Sequence, residues 1–523
     1  MGVSKMISNH NRATMHIVAI HKREGFYPVI APFHPQEAFP EYPFTILSLA
    51  SPNNAYSAVR NSLQLLGLDK ANFGQKEWNP FGELIKRNDH VLLKPNLIRE
   101  SHSLRYDEWE QVITHPSIVR AVLDYVFIAL KGEGRVTIAD GPDTEVDFDE
   151  IVRRTGLDTI VEYFRDKGLE VSLLDLRRDR WLQKKGVTYK RESLPGDPAG
   201  YTTINLDEGS EFTDYPLNGR FYGADYDIEE TAKYHGNGRH AYVLCRSVMD
   251  ADVLINLPKM KTHKKTGVTL SLKNMVGING YRNCLPHYAI GTPENGGDEY
   301  SASGLKNKVQ SWGIVKVKNA LTTRHGIGGP FARSAFRIGK LIFGRTERVI
   351  RSGNWYGNDT AWRMVLDLNK CLFHFSADGK PRTKPLRYMT LIDGIIAGDG
   401  NGPLSPDSKP CGVIVAGFNP VAVDTVCATL MGFDYRKLRM LSQAWKIKDY
   451  PLVNHSPSDI VCKSNVRQWD GPFAQLEERE HLGFRPHFGW VDHIERGKAE
   501  QKLEGTVNFE PDKQNERSIS ERL

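Results

Sequence analysis

The sequence predicts an α/β protein: a mostly parallel sheet with flanking helices. Three features carry that reading. Short apolar runs alternate with helical patterns along the chain. Several runs are continuous in hydrophobicity, as strands buried on both faces of a parallel sheet are. Four of them end in charged or amide residues beside Pro or Gly, at the strand ends where open α/β sheets bind ligands. With 523 residues, the chain has room for about three domains.

The elements follow in order. A helix from about Tyr56 to Leu66 buries Val59, Leu63 and Leu66 at helical spacing. The strand runs are HVLLK (90–94), RVTIA (135–139), VSLL (171–174), ADVLINL (251–257), YMTLI (388–392) and GVIVA (412–416). Between the first two lies a helix with Pro116 in its first turn and apolar Ile118, Val119, Val122, Leu123 and Val126. After the last run, Asn419 is placed to cap a helix, Pro420 takes its first position and Gly432 closes it. The chain then divides into an N-terminal extension with a helix (1–79) and an α/β core (80–280) broken by a β-rich excursion (176–250). An insertion (281–385), the continued core (386–445), a C-terminal segment (446–491) and a charged, disordered tail (492–523) complete it.

A composition of 40% hydrophobic and 25% charged residues excludes collagen-like, coiled-coil and fully disordered classes. The net charge of +6 is too mild to demand a nucleic-acid partner, and no specific nucleic-acid binding is expected. No apolar run approaches the roughly 18 residues of a membrane-spanning helix. The first residues lack the apolar core and small-residue cleavage site of a secretory leader, and Met6 stands where a myristoylation signal needs Ser or Thr. The expected location is the cytoplasm. Six cysteines (Cys245, Cys284, Cys371, Cys411, Cys427, Cys462) form no CxxC pair, which excludes a ferredoxin-type iron–sulfur cluster and a zinc ribbon and suits reduced thiols.

The strand ends carry the chemistry. HVLLK runs into Lys94-Pro95-Asn96, RVTIA into Asp140-Gly141-Pro142, and YMTLI into Asp393-Gly394, with Asp399 soon after. ADVLINL runs into Lys259, Lys261, His263, Lys264 and Lys265, followed by Thr266-Gly267 and then Lys273-Asn274. Clustered ammonium groups near hydroxyls and backbone N–H groups suit a phosphate or carboxylate. From Gly267 onward a helix would set Thr269 and Lys273 on one face, whereas the alternation of Val268, Leu270 and Leu272 suits an extended segment. The plainer reading is a set of good turn formers and a solvated basic loop. There is no Walker A spacing, no GxGxxG after a strand, and no HExxH or GxSxG.

On this reading Lys94, Lys259, Lys261 and Lys273 supply positive charge, and Asn96, Asn274, Gly141 and Gly394 complete the ligand-binding set. Asp140, Asp393 and Asp399 are candidates to hold a divalent cation or move a proton. The catalytic candidates are His263, His115, Asp140 and Lys261, with His115 open to the alternative of a helix cap. His235 and His240, in YHGNGRH, read as a turn. Lys94, Asp140, Lys261, His263 and Asp393 are expected to converge on one cleft.

The same segments resemble the domain of unknown function 362 family: LLKPNL (92–97), THPSIVRAVLDYV (114–126), ADGP (139–142), DADVLINLPKMKTHKKTGVTLSLKNMVG (250–277) and 393–434. The resemblance covers about 90–435, broken by the excursion and the insertion. Many relatives carry ferredoxin-like iron–sulfur modules, whose cysteines this chain lacks, and the resemblance implies no particular reaction. A weaker similarity of layout to the lactate racemase family implies two α/β lobes around a cleft.

The expected function is that of an enzyme acting on a small anionic substrate, with metal assistance an option. The alternatives are a non-catalytic nucleotide or sugar-phosphate binding protein and a redox protein with a bound organic cofactor. Lys306 to Arg351 holds eleven basic residues against Glu347 alone. Within it, the segment from Phe331 to Phe343 sets Phe331, Ala335, Ile338 and Ile342 on one helical face and Arg333, Arg337 and Lys340 on another. That basic amphipathic helix suits an anionic membrane surface, or packs its apolar face on the body.

Overall fold

A computed structural model describes residues 15–44, 53–184, 187–216, 219–223, 228–302 and 349–497. The basic helix expected from Phe331 to Phe343 lies outside the described residues, as do residues 498–523. The strands of the main sheet, in chain order, are β1 (Ile17–Lys22), β2 (His90–Pro95), β3 (Arg135–Asp140), β4 (Glu170–Asp175), β5 (Val253–Leu257), β6 (Lys259–His263), β7 (Gly267–Val268), β8 (Arg387–Asp399), β9 (Asp407–Gly417), β10 (Val461–Ser464) and β11 (Gly471–Pro472). They form one sheet in the order β11-β10-β1-β9-β8-β5-β2-β3-β4, with β6 beside the far half of β8 and β7 paired to β6. From β8 through β5, β2 and β3 to β4 every pairing is parallel.

Two of the sheet's features depart from the sequence reading. The run GVIVA lies in β9, which is antiparallel to β8 because residues 400–406 join them as a short hairpin. Antiparallel neighbours need only a tight connection, whereas parallel ones need a crossover. The N-terminal extension also supplies β1, which sits between β9 and β10 inside the sheet. Among the described residues the main sheet is continuous and is not divided into the two lobes implied by the layout similarity to the lactate racemase family.

Strand periodicity sorts the core onto the two faces of the sheet. Val91, Leu93, Val136, Ile138, Val253 and Ile255 face the layer of α1 (Asn54–Leu65), α2 (Pro116–Leu130), α3 (Phe148–Thr155) and α4 (Leu157–Asp166). On the other face Leu92, Leu254, Val413 and Val415 meet a layer with a short α5 (Ser271–Asn274), α6 (Ala361–His374), α7 (Pro420–Met431) and α8 (Arg439–Ala444). In the excursion, Asp179–Lys184 pairs with Val187–Ser193, and Tyr201–Asn205 pairs with Ala241–Cys245. All six cysteines are buried free thiols.

The helix ends obey local chemistry. Pro116 and Pro420 open α2 and α7 at positions where no intrahelical N–H partner is lost. Gly432 closes α7 at φ 99°, a left-handed conformation that a side chain would strain. At the C-terminal end, Asp434 N donates to Ile494 O at 2.8 Å and Arg496 N to Gly432 O at 3.0 Å. Residues 492–497, expected to start a disordered tail, are therefore docked, with Ile494 fully buried.

Asn419 shows what one cap contributes. Its Oδ1 accepts from Val421 N at 2.9 Å and Ala422 N at 3.0 Å, and its Nδ2 donates to Leu452 O at 3.0 Å. Asn419→Ala is expected to lower stability by about 1–2 kcal/mol in urea unfolding, the usual cost of a lost cap. An unchanged midpoint would mean that other groups satisfy the first turn.

Candidate functional site

β5 and β6 are two halves of one path that Pro258 interrupts. The first half pairs with the start of β8 and the second with its end. The period of two puts Lys259, Lys261 and His263 on one side of β6 and Met260 and Thr262 on the other. All three of the former are buried.

Lys259 Nζ donates to Asp393 Oδ2 at 3.0 Å and to Tyr27 Oη at 2.8 Å, and the Tyr27 hydroxyl donates to Asp393 Oδ1 at 2.5 Å. Asp393 also accepts from His115 N at 2.9 Å. Between β2 and β3, Lys94 Nζ lies 2.5 Å from Asp140 Oδ1, and Asp140 Oδ2 accepts from Leu97 N at 2.6 Å. Asn96 Nδ2 donates to Asn274 Oδ1 at 2.9 Å, and Asn274 Nδ2 donates to Lys94 O and Asn256 Oδ1. Lys261 Nζ donates to Asn96 Oδ1 at 3.0 Å and Val112 O at 2.5 Å. Asn96 N donates to Thr114 Oγ1, one residue before His115, which links the two lysine–aspartate pairs.

Two glycines permit this packing. A Cβ on Gly277 would lie 2.0 Å from Asp140 Oδ1 and 2.7 Å from Lys94 Nζ. A Cβ on Gly141 would lie 2.9 Å from Gly277 O, the acceptor of Gly141 N. Gly394 answers a packing need instead, because Met260 and Val413 close over it. It is not placed to meet a ligand.

The segment after β6 resolves the two conformations open at the sequence level. β7 is extended, and the helix starts at Ser271, so Thr269 precedes it and shares no helical face with Lys273. Asp424 of α7 accepts from Ser271 N at 2.8 Å and Leu272 N at 2.9 Å, which fixes the start of α5. Burial raises the Asp424 carboxyl to about 7.

Several expected roles change with these contacts. His115 caps α2, its Nδ1 accepting from Ser117 N at 3.2 Å, and its ring stacks on Tyr27 at 3.9 Å and on Trp109 at 5.1 Å. Burial and then Lys259 hold it well below the usual histidine range, so at neutral pH it is an uncharged ring with Nδ1 engaged in the cap. His263 Nδ1 accepts from Lys265 N, Thr266 N and Thr266 Oγ1, so that nitrogen holds a turn. Burial and the neighbouring lysines keep this ring neutral as well. Asp399 is neutralised by Arg485, whose Nε donates at 2.8 Å.

Asp140, Asp393 and Asp399 thus each face a different cation and do not assemble around a metal. Among the described residues no group of three or more His, Cys, Asp and Glu is placed to hold one. A divalent ion does not fit this donor set.

The charges are unevenly compensated. Lys94 and Lys259 each have a carboxylate, although burial still lowers both. Lys261 has only neutral acceptors, and burial, then Lys259 and Lys273, push it well below the lysine range. Arg282, just inside the segment read as an insertion, donates to the carbonyls of Gly141, Pro142 and Val276. Its Nε and the Thr269 hydroxyl are buried without a hydrogen bond. Lys273 is half-buried and lowered to about 7 by burial, then by Arg282 and Lys94, with Asp143 opposing the shift. His287 and Lys265 lie in its field too. Burying such groups without counter-charge costs several kcal/mol per ion unless the proton leaves.

Tyr27, Trp109, Asn256, Arg282 and Asp424 were not among the sequence candidates. Tyr27 lies in the N-terminal extension and Arg282 in a segment rich in basic residues, and only long-range pairing brings them here. The two surface pockets described lie elsewhere, one lined by Asn88, His90, Arg135 and Asp252 at the opposite ends of the strands, the other by residues between Leu66 and Phe418.

The family model described as domain of unknown function (DUF362) matches residues 91–204 and 197–429. The chain belongs to the DUF362 family. Its matched region contains both lysine–aspartate pairs, Lys273 and Arg282. The thylakoid-associated protein sll1697 of Synechocystis is 22% identical over 353 residues, 68% of this chain and 66% of that protein, so the chain spans a little under two thirds of this relative. A crystal structure of a Thermotoga maritima protein aligns with a TM-score of 0.31 and 12% identity over 70% of this chain and 58% of that one. That likeness is too slight to inform the site.

The Lys259–Asp393 pair offers a direct check. Asp393→Asn is expected to destabilise the protein by about 3–5 kcal/mol in urea unfolding, because it strands a buried lysine. A loss under about 1 kcal/mol would show that Lys259 does not depend on this carboxylate.

Proposed function

We propose that this DUF362 protein binds a small anion, bearing phosphate or carboxylate, at the strand ends around Lys273 and acts on it as an enzyme. The supporting observation is the cluster of basic side chains there: Lys261 and Arg282 hydrogen-bond only to neutral acceptors and the Lys273 amine to none, while Asp140 and Asp143 oppose their charge without forming an ion pair with them. The chemistry divides between two sets of residues. Lys94, Lys259 and their aspartates hold the strand ends in place, while Lys273 and Arg282 supply charge for the ligand. A neutral amine at Lys273 can also take up a proton as the anion arrives.

Sulfate, whose charge does not change near neutrality, tests this reading. It is expected to raise the melting temperature, and more strongly below about pH 7, where Lys273 is protonated, than above it. Lys273→Ala should weaken sulfate binding by about 1.5–3 kcal/mol, the contribution of one charge-assisted contact. Lys261→Ala is a poorer probe, since it also breaks the bonds to Asn96 and Val112. A melting temperature indifferent to sulfate at both pH values would remove the anion site.

A second reading concerns location, and one observation favours it. The loop that brings Tyr27 inward leaves Phe26 71%, Val29 88% and Ile30 68% exposed, with Lys22 and Arg23 before it. We infer peripheral contact with an anionic membrane through this loop and the segment from Phe331 to Phe343, in keeping with a relative named as thylakoid-associated. Among the described residues no helix is long and apolar enough to cross a membrane. The protein should sediment with anionic vesicles and not with neutral ones, and salt should release it as exposed charges are screened. Val29→Ser with Ile30→Ser should reduce the bound fraction; equal sedimentation with both vesicle types would end this reading.

A further inference from the structure

Lys273 stands apart from the lysines around it. Lys94, Lys259, Lys261 and Lys265 are each tied to an acceptor: Asp140, Asp393, Asn96 and the Ser352 carbonyl. The Lys273 amine has no hydrogen bond or ion pair within the described residues, and the residue is partly exposed to solvent. Its backbone is held from two sides, by Asp424 at the start of α5 and by Asn369 Nδ2, which donates to Leu272 O at 3.0 Å. The result is an amine with a fixed root and no hydrogen-bond partner of its own, set between the cations Arg282 and Lys94 with Asp143 as the opposing charge.

An amine in that setting is a nucleophile. Burial together with adjacent positive charge is one of the recognised ways to activate a lysine toward carbonyl compounds. Resting on the anion-binding reading above, we propose that Lys273 condenses with the carbonyl group of a small anionic aldehyde or ketone to form an imine. The amine nitrogen attacks the carbonyl carbon, a C=N bond replaces C=O, and the oxygen leaves as water with the two amine protons. No electrons are exchanged, so no oxidant or reductant is required. The phosphate or carboxylate of the same molecule would meet Arg282 and the surrounding positive field. At pH 7 an amine with a pKa of about 7 is half unprotonated, which gives roughly a thousandfold more free base than an ordinary lysine.

Pyridoxal 5′-phosphate, an aldehyde with a phosphate, is a suitable probe on the full-length protein. After brief incubation near neutral pH at low molar excess, sodium borohydride reduces any imine to a stable amine, and peptide mass mapping locates it. The expected result is one dominant adduct at Lys273, suppressed by excess inorganic phosphate and absent from a folded Lys273→Arg variant. Labelling of pyridoxal, which lacks the phosphate, should be at least tenfold weaker. Adducts scattered over exposed lysines with Lys273 unmodified would overturn the imine. Stabilisation of that same wild-type protein by phosphate would then show that the anion site survives without it. Equal labelling by pyridoxal and its phosphate would overturn the anionic substrate class and, with it, the reading on which it rests.

Discussion

Two lysine–aspartate pairs taken wholly out of water hold the carboxyl ends of the central strands. Lys94 on β2 meets Asp140 on β3, and Lys259 on β6 meets Asp393 on β8, so each pair staples two strands. Removing four charges from water carries a penalty of several kcal/mol per ion, and the attraction within each pair largely offsets it without surplus. What the pairs supply is geometry. The carboxylates of Asp140 and Asp393 also accept backbone N–H groups from Leu97, His115 and Ile395 and the Tyr27 hydroxyl, and so fix where four separate segments lie. The asparagine chain of Asn96, Asn274 and Asn256 then carries that order across to α5.

The same residue type has opposite chemistry a few ångströms on. Lys94 and Lys259 are each held by a carboxylate, whereas Lys261 has only neutral acceptors. Burial alone does not separate them, since Lys259 and Lys261 are equally inaccessible and sit two residues apart on one strand. Partner identity separates them. Asp140 and Asp393 are each engaged by a lysine, whereas Lys273 has no carboxylate within ion-pair distance.

Much of the sheet was legible because its signal is local. Five of the six apolar runs lie within strands, ADVLINL starts two residues before its strand, and the Asn419-Pro420 and Gly432 signals bracket α7 as the spacing predicts. Lys94, Asn96 and Asp140 were visible as strand-end residues, and Lys94 and Asp140 do meet as an ion pair, whereas Asn274 reaches Asn96 from the short helix α5. Sequence could not show β1 inside the sheet, because IVAIHK finds its place only by pairing with β9 and β10, hundreds of residues away. The antiparallel direction of β9 was hidden for a related reason: a continuous apolar run records burial on two faces and says nothing of direction. His115 and Asp399 looked chemical because type and position were visible and partners were not. Ser117, Trp109 and Arg485 settle their roles.

The strict alternation in β6 also bears on how the chain reaches its native state. Met260 lies over Gly394, with its Cε 2.8 Å from where a Cβ would stand, while Lys259 and Lys261 point the other way. A slip of one residue would exchange those sides, forcing two ammonium groups against Val413 and its apolar neighbours and leaving Asp393 opposite a thioether. No isolated hydrophobic strand could penalise the wrong alignment so heavily. The alternation of lysine and methionine therefore specifies the register of β6, since a slipped pairing would bury two ammonium groups in an apolar interior.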